Sequence, residues 1–259
     1  MIRLRQGRRL AGIPLALTAV LYNAWISAPL LVAGADPLHT YVSDLSAGAH
    51  PHSLLFRTAD LMAGACAVAA AVLALGGRTA RLSWARAGWW ALGLFGAATA
   101  VEFRFPLSCP LVADRACFDR EVAGLAPAAH TVHTVTSAVA TAAALAAMTA
   151  LTIAARRYGW WPALARHGRA LVVAQWAVNV WLMVAVAAFM TRHVNLWVGG
   201  AERLQELLLA CWALLLAAGV VRSGAAPLAV SRPPAPRPSA GGEPASHGVA
   251  RVPARRPSE

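Results

Sequence analysis

A chain of 259 residues that is 58% hydrophobic, only 13% charged and has a mean hydropathy of +0.54 carries more apolar surface than a water-soluble fold can hide, since soluble domains hold roughly 45–50% apolar residues. Its formal charge of +12 does not mark a nucleic-acid binder, because the basic residues fall between apolar runs and in a tail, not on one aromatic-interleaved patch. All 23 basic residues are arginine, so arginine here reflects composition as well as chemistry.

In chain order, a basic N-terminus (residues 1–9, with Arg3, Arg5, Arg8 and Arg9) precedes six apolar stretches at about 10–32, 54–75, 87–103, 127–153, 170–190 and 204–221. A helix needs about 20 apolar residues to cross a bilayer. Runs of this length without period-2 alternation predict helices, because a spanning segment must satisfy its own backbone hydrogen bonds. The third and sixth runs are short and are expected to tilt little or to extend into their flanks. The fold class expected is all-α: a polytopic bundle of six transmembrane helices over residues 10–221. From residue 222 the chain turns to Pro, Ala, Ser, Gly and Arg around Pro233-Pro234-Ala235-Pro236, and a solvated, disordered tail over 222–259 is expected.

Charge asymmetry sets the orientation, since arginine-rich short loops stay cytoplasmic. Arg78, Arg81 and Arg86 fill the second loop, Arg156, Arg157, Arg166 and Arg169 the fourth, and Arg222 opens the tail. The acids fall on the other side: Asp36, Asp44, Asp60, Glu102, Asp114, Asp119, Glu121, Glu202 and Glu206 all belong to outer loops or outer helix ends. Both termini are therefore expected in the cytoplasm of a bacterial cell, with the chain in the plasma membrane. The rival reading is a signal peptide cleaved at Ala33-Gly34-Ala35, but the apolar run before it exceeds the ~7–15 residue core of such peptides.

Cys109 and Cys117 flank a short stretch of the second outer loop, where an oxidising compartment favours a disulfide. Closing that loop would constrain the unfolded chain by about 2.5 kcal/mol on the loop-entropy account. Metal ligation by the pair would need a second close pair that the chain lacks. Cys66 and Cys211 fall inside the second and sixth runs and are expected as small core residues. Trp84, Trp89, Trp90, Trp160 and Trp161 are expected in the cytoplasmic interfacial belt. The small residues Ala63, Ala67 and Ala71, with Gly88, Gly93 and Gly96, permit close helix packing.

Ionisable side chains within spans are costly and mark sites by default. Asp60, Glu102, His130, His133 and Glu206 fall at similar depth toward the outer side. In the fourth run His130, His133, Thr134, Ser137 and Thr141 recur at three- and four-residue steps, one face of a helix. Gln175 and Asn179 lie one turn apart in the fifth, and Tyr22, Asn23 and Ser27 make the first run polar. Two readings stand. In one, an outward-opening polar pocket gathers His130, His133, Asp60 and Glu102 or Glu206, with Asn23 beside them, to bind an amphiphile, hold a metal through His130 and His133, or perform acid-base work. In the other, Asp60 pairs with Arg57, Glu102 with Arg104 and Glu206 with Arg203, and the histidines cap helix ends.

The densest polar segment is the first outer loop, Asp36 to Ser46, followed by His50-Pro51-His52-Ser53-Leu54-Leu55-Phe56-Arg57. With Tyr22-Asn23-Ala24-Trp25 before it and Asp60 after, this segment resembles the bacterial membrane proteins grouped as domain-of-unknown-function family 998, over residues 10 to 221. The resemblance implies topology and carries over no activity. Tyr41, Ser43, Asp44, Pro51, Leu55 and Phe56 are also similar, in order, to a pattern of the eukaryotic Frag1/DRAM/Sfk1 group, six-span proteins, which implies lipid-associated work at a membrane. Ser43 and Asp44 would cap the next helix or line the pocket mouth. The expected function is binding of a lipid or small amphiphile in an outer-leaflet polar pocket. The alternatives are a metal-dependent membrane hydrolase of lipid amides or esters, and an exporter or its accessory subunit.

Overall fold

In the computed structural model, residues 10–32, 36–48, 50–76 and 82–223 are described. The expectations for the basic N-terminus, the Ala33-Gly34-Ala35 site, Arg78, Arg81 and the tail beyond residue 223 lie outside them. No strand occurs among the described residues, whose helices are α1 (Gly12–Leu21), α2 (Ala28–Leu31), α3 (Ser53–Leu75), α4 (Ser83–Glu102), α5 (Arg115–Val122), α6 (Ala128–Arg157), α7 (Pro162–Arg192) and α8 (Val198–Ser223). Two 3-10 turns, Ala24–Ser27 and Ser43–Ser46, complete the set.

Four helices, α3, α6, α7 and α8, are each long and apolar enough to cross a membrane. A fifth candidate is the pair Gly12–Leu21 and Ala24–Leu31, bent by 41°. The first apolar run is thus not one straight helix. It breaks at Asn23, whose side chain turns back to donate to the Ala19 carbonyl at 2.9 Å, while Ser27 Oγ donates to Ala24 O at 2.7 Å. Such side-chain competition for backbone acceptors, followed by Pro29, favours a bend over helix propagation. Helix α4 does not count among the candidate spans. Arg86, Glu102, three tryptophans and three glycines in its 20 residues lower its hydropathy, although it packs between α3 and α6.

The six longer helical segments close into a ring. Each packs mainly on the next, in the order α1, α3, α4, α6, α7, α8, and α8 packs back on α1. Consecutive ring members run antiparallel through short connections such as 158–161 and 193–197. One end, called here the loop end, carries the 36–52, 103–127 and 193–197 connections; the opposite end carries the 158–161 turn. Small residues set the closest approach: a Cβ on Gly96 would lie 2.5 Å from the Gly64 carbonyl oxygen and 2.8 Å from the Ala67 Cβ. Backbones of α3 and α4 therefore touch directly, as small-residue crossings allow.

Toward the opposite end the ring interior is filled. Leu15, Trp89, Leu92, Phe95, Met148, Leu151, Trp161, Leu164, Trp212 and Leu216 form one buried cluster, and Trp212 Nε1 donates to Thr152 Oγ1 at 3.0 Å. This corrects the interfacial-belt expectation for two tryptophans. Trp89 and Trp161 are 1% and 2% exposed, and their rings meet edge-to-face at 6.2 Å. Trp90 follows Trp89 by 100° around the helix and stays outside, 65% exposed. Trp161 turns inward through a left-handed backbone (φ 49°), and a Cβ on Gly219 would lie 2.7 Å from its Cβ. Cys66 is only partly buried and Cys211 is exposed, so Cys211 sits on an outward face of α8 and is not a core residue.

Candidate functional site

Where the tryptophan core ends, toward the loop end, the ring encloses a cavity of about 730 Å³. Its roof is sewn from loops. The Thr40 carbonyl receives Arg203 Nη1 at 2.7 Å, Leu38 O receives the Gly200 N–H at 3.0 Å, and Asn195 Nδ2 donates to His39 O at 2.8 Å. Gly199 makes this approach possible, since a Cβ there would run into the Thr40 carbonyl. On the other side Gly48 N–H donates to Leu107 O at 2.9 Å, and Asp44 Oδ1 accepts the Leu111 N–H at 3.2 Å. Burial raises the Asp44 carboxyl to about 6, with the Leu111 N–H opposing the shift. Cys109 and Cys117 are joined by a disulfide with Cα atoms 6.0 Å apart, which ties the 103–114 segment to α5.

Five of the eight pocket candidates from the sequence line this cavity: Ser43, Asp60, Glu102, His133 and Glu206. Three do not. Asn23 is buried beside α1 and Asp44 is buried in the roof. His130, 1% exposed, fastens the loop segment to α6: its Nδ1 lies 3.0 Å from Ser108 Oγ and its Nε2 lies 3.3 Å from Glu121 Oε2. Both ring nitrogens of His130 thus face protein groups. Among the described residues, the one group of three or more His, Cys, Asp or Glu ligand atoms within 4.8 Å of one another is Cys109, Cys117 and His130. Its two sulfurs are bonded to each other.

His133 behaves differently. Its Nδ1 lies 3.0 Å from the Phe105 carbonyl, which can only accept, so in the neutral ring Nδ1 carries the proton and Nε2 keeps its lone pair. That Nε2 is buried and has no hydrogen-bond partner. One turn on, Ser137 Oγ donates to Glu102 Oε1 at 2.7 Å, and Thr141 Oγ1 receives Gln205 Nε2 at 3.3 Å. The polar stripe read on this helix is therefore, from His133 to Thr141, the wall of a cavity.

The local ion pairs of the rival reading are not formed. Among the described residues the salt bridges are His39 with Asp36, Arg115 with Asp119 and His130 with Glu121. Arg57 instead donates through Nε to Phe103 O at 3.1 Å and lies over the Phe103 ring. Arg203 is held by Thr40 O and Gly199 O with its guanidinium 5.4 Å from the Trp25 ring centre. Loop carbonyls outcompete the neighbouring acids because they face the arginines once the roof folds down.

Sequence reading missed Glu202, Gln205, Tyr22, Trp25 and Tyr41 as cavity residues. Glu202 had a usable signal: it precedes Glu206 by one turn and so shares its helical face. Glu202 Oε2 accepts the Val42 N–H at 2.6 Å. Nothing in sequence spacing could bring Tyr41, from a loop, over the same space.

The far wall is apolar and incomplete. Thr134, Ala138, Ala142 and Ala146 recur every fourth residue on α6, and each lines the cavity while remaining exposed. Across from them on α7, Trp176 (49% exposed) and Met183 (51% exposed) also line it. The cavity therefore opens sideways through a slot between α6 and α7.

No curated protein and no solved structure is significantly similar to the chain. One family model matches residues 10–219, under the description "Protein of unknown function (DUF998)". That match takes in α1 to α7, α8 as far as residue 219, the roof loops and the cavity, so the chain belongs to the DUF998 family and is an integral membrane protein of that family.

Proposed function

We propose that this protein binds a lipid or small amphiphile, with the polar head in the cavity at the loop end and the chain leaving through the slot between α6 and α7. The observation that carries this is the combination of a polar, carboxylate-lined end with an apolar opening at mid-helix in one cavity. Its volume, about 730 Å³, falls in the roughly 300–1,000 Å³ range of small-molecule sites. A soluble metabolite has no use for an opening flanked by alanines, Trp176 and Met183; an acyl chain in the bilayer does. The setting proposed is the bacterial plasma membrane, with six crossings, the loop end outward and both termini in the cytoplasm. In that setting α4 crosses despite its modest hydropathy, shielded by α3 and α6 on either side.

Filling the slot tests the reading. Ala142→Trp places an indole across the opening on an exposed position, where it disturbs no core contact. Native mass spectrometry of the wild-type protein, purified in mild detergent from a lipid-containing membrane, should show bound amphiphile adducts. The same preparation of Ala142→Trp should lose most of them while keeping its thermal stability. Wild-type protein free of adducts after reconstitution with total membrane lipid would refute the proposal.

A further inference from the structure

The cavity's charge and its hydrogen-bonding polarity point to the same kind of head group. Asp60, Glu102, Glu202 and Glu206 all line it, and none of the four is in an ion pair among the described residues. Arg203, whose charge acts on Glu202 and Glu206, is held by two backbone carbonyls and an indole face. Four carboxylates gathered in an apolar bundle with one guanidinium beside them are costly, and a bound cation lowers that cost.

The open hydrogen-bonding valences agree. His133 Nε2, Gln205 Oε1, Asn179 Oδ1 and Glu206 Oε2 line the cavity and have no hydrogen-bond partner, and His133 and Gln205 are 4% and 9% exposed. Every one of these atoms accepts. The exception, the Trp25 indole N–H, faces Glu206. A site whose unmet groups are acceptors suits a ligand that brings donors and positive charge. The rings of Tyr22, Tyr41 and Phe56 in the same wall add faces that attract a cation.

Resting on the amphiphile reading above, we propose that the head group is a protonated amine, so that the ligand class is an alkylammonium amphiphile. Its N–H groups would bond Glu206, Asp60 and His133 Nε2, and its alkyl chain would lie in the slot between α6 and α7. A sulfate or phosphate head would meet four carboxylates. A sugar head would supply donors and leave the charges unanswered.

Three amphiphiles with one chain length separate these cases. Full-length protein in phosphatidylcholine nanodiscs is titrated calorimetrically with dodecylammonium, dodecyl maltoside and dodecyl sulfate, with empty discs subtracted. Dodecylammonium should bind about tenfold or more tightly than the maltoside, with the sulfate weakest. Glu206→Gln and Glu102→Gln should each remove most of that preference while maltoside binding persists, and either variant alone serves if the other misfolds. Equal binding of all three to the wild type overturns the amine assignment and leaves the amphiphile reading standing. Binding of none overturns both.

Discussion

Asp44 is a carboxylate held where water cannot reach it, 6% exposed, with Oδ1 bonded to the Leu111 N–H and Oδ2 without a partner. Burial raises its pKa from 3.8 to about 6, against the opposing influences of backbone N–H groups and Arg203. A carboxyl raised in the folded state stabilises the fold while protonated. That contribution is whole below pH 3.8 and is lost as pH rises through about 6. The shift corresponds to about 2–3 kcal/mol at 1.36 kcal/mol per pKa unit. Asp44→Asn, which cannot ionise, should gain stability relative to wild type across pH 4 to 7 by about that amount and stay parallel above it. Thermal unfolding of both proteins in detergent across this range checks it; a stability difference independent of pH would mean that Asp44 ionises freely. From sequence, Asp44 is one of several loop acids. Its burial depends on residues 107–111 folding over it, some sixty positions away, and no local pattern encodes that.

At the scale of elements, the α3–α4 crossing is fixed by Gly64 and Gly96, each of whose Cβ would strike the other's carbonyl oxygen. A methyl group there must push two backbones apart, and overpacking of this kind costs about 1–3 kcal/mol. Gly93 is the internal control, because a Cβ at that position would meet the Ala71 Cβ at 3.4 Å, which small shifts absorb. Gly96→Ala should therefore lower the unfolding temperature in detergent clearly, while Gly93→Ala leaves it nearly unchanged; equal effects would show that the crossing is loose. The longer helices were readable from apolar runs, α5 was not, and the small residues on the second and third runs announced close packing. The break at Asn23 was visible only as a polar stretch within an apolar run. Polarity in a span has several outcomes, and the choice of a bend followed from which carbonyls Asn23 and Ser27 could reach. Likewise the arginines beside Asp60 and Glu206 promised local pairs, yet the roof carbonyls that captured them come from distant loops.

For the molecule as a whole, the ring of helices follows from each long helix packing on its neighbour in the chain and from α8 packing back on α1, and the cavity follows from where bulk runs out: tryptophans fill one end, while alanine, serine, threonine and acids line the other. Composition foretold a bundle and a polar side; ring closure, and hence a shared interior for Asp60, Glu102, His133 and Glu206, needed three-dimensional packing. The proposed orientation rests on that same polarity of ends, because Arg156, Arg157, Arg166 and Arg169 flank the 158–161 turn and positive loops are retained in the cytoplasm. Two glycines give a clean test. Gly124 and Gly159 both adopt left-handed backbone with open space around them, so each marks a surface turn that tolerates an inserted epitope. They lie on opposite ends of α6, the one in the segment before it and the other just beyond Arg157. An epitope inserted after Gly124 should be reached by antibody on intact spheroplasts, and one after Gly159 only after permeabilisation. The reverse pattern would invert the molecule and turn its cavity toward the cytoplasm. Both epitopes on one side would mean that α6 does not cross, and an amphiphile slot on its flank would then face water, where an alkyl chain has no reason to enter.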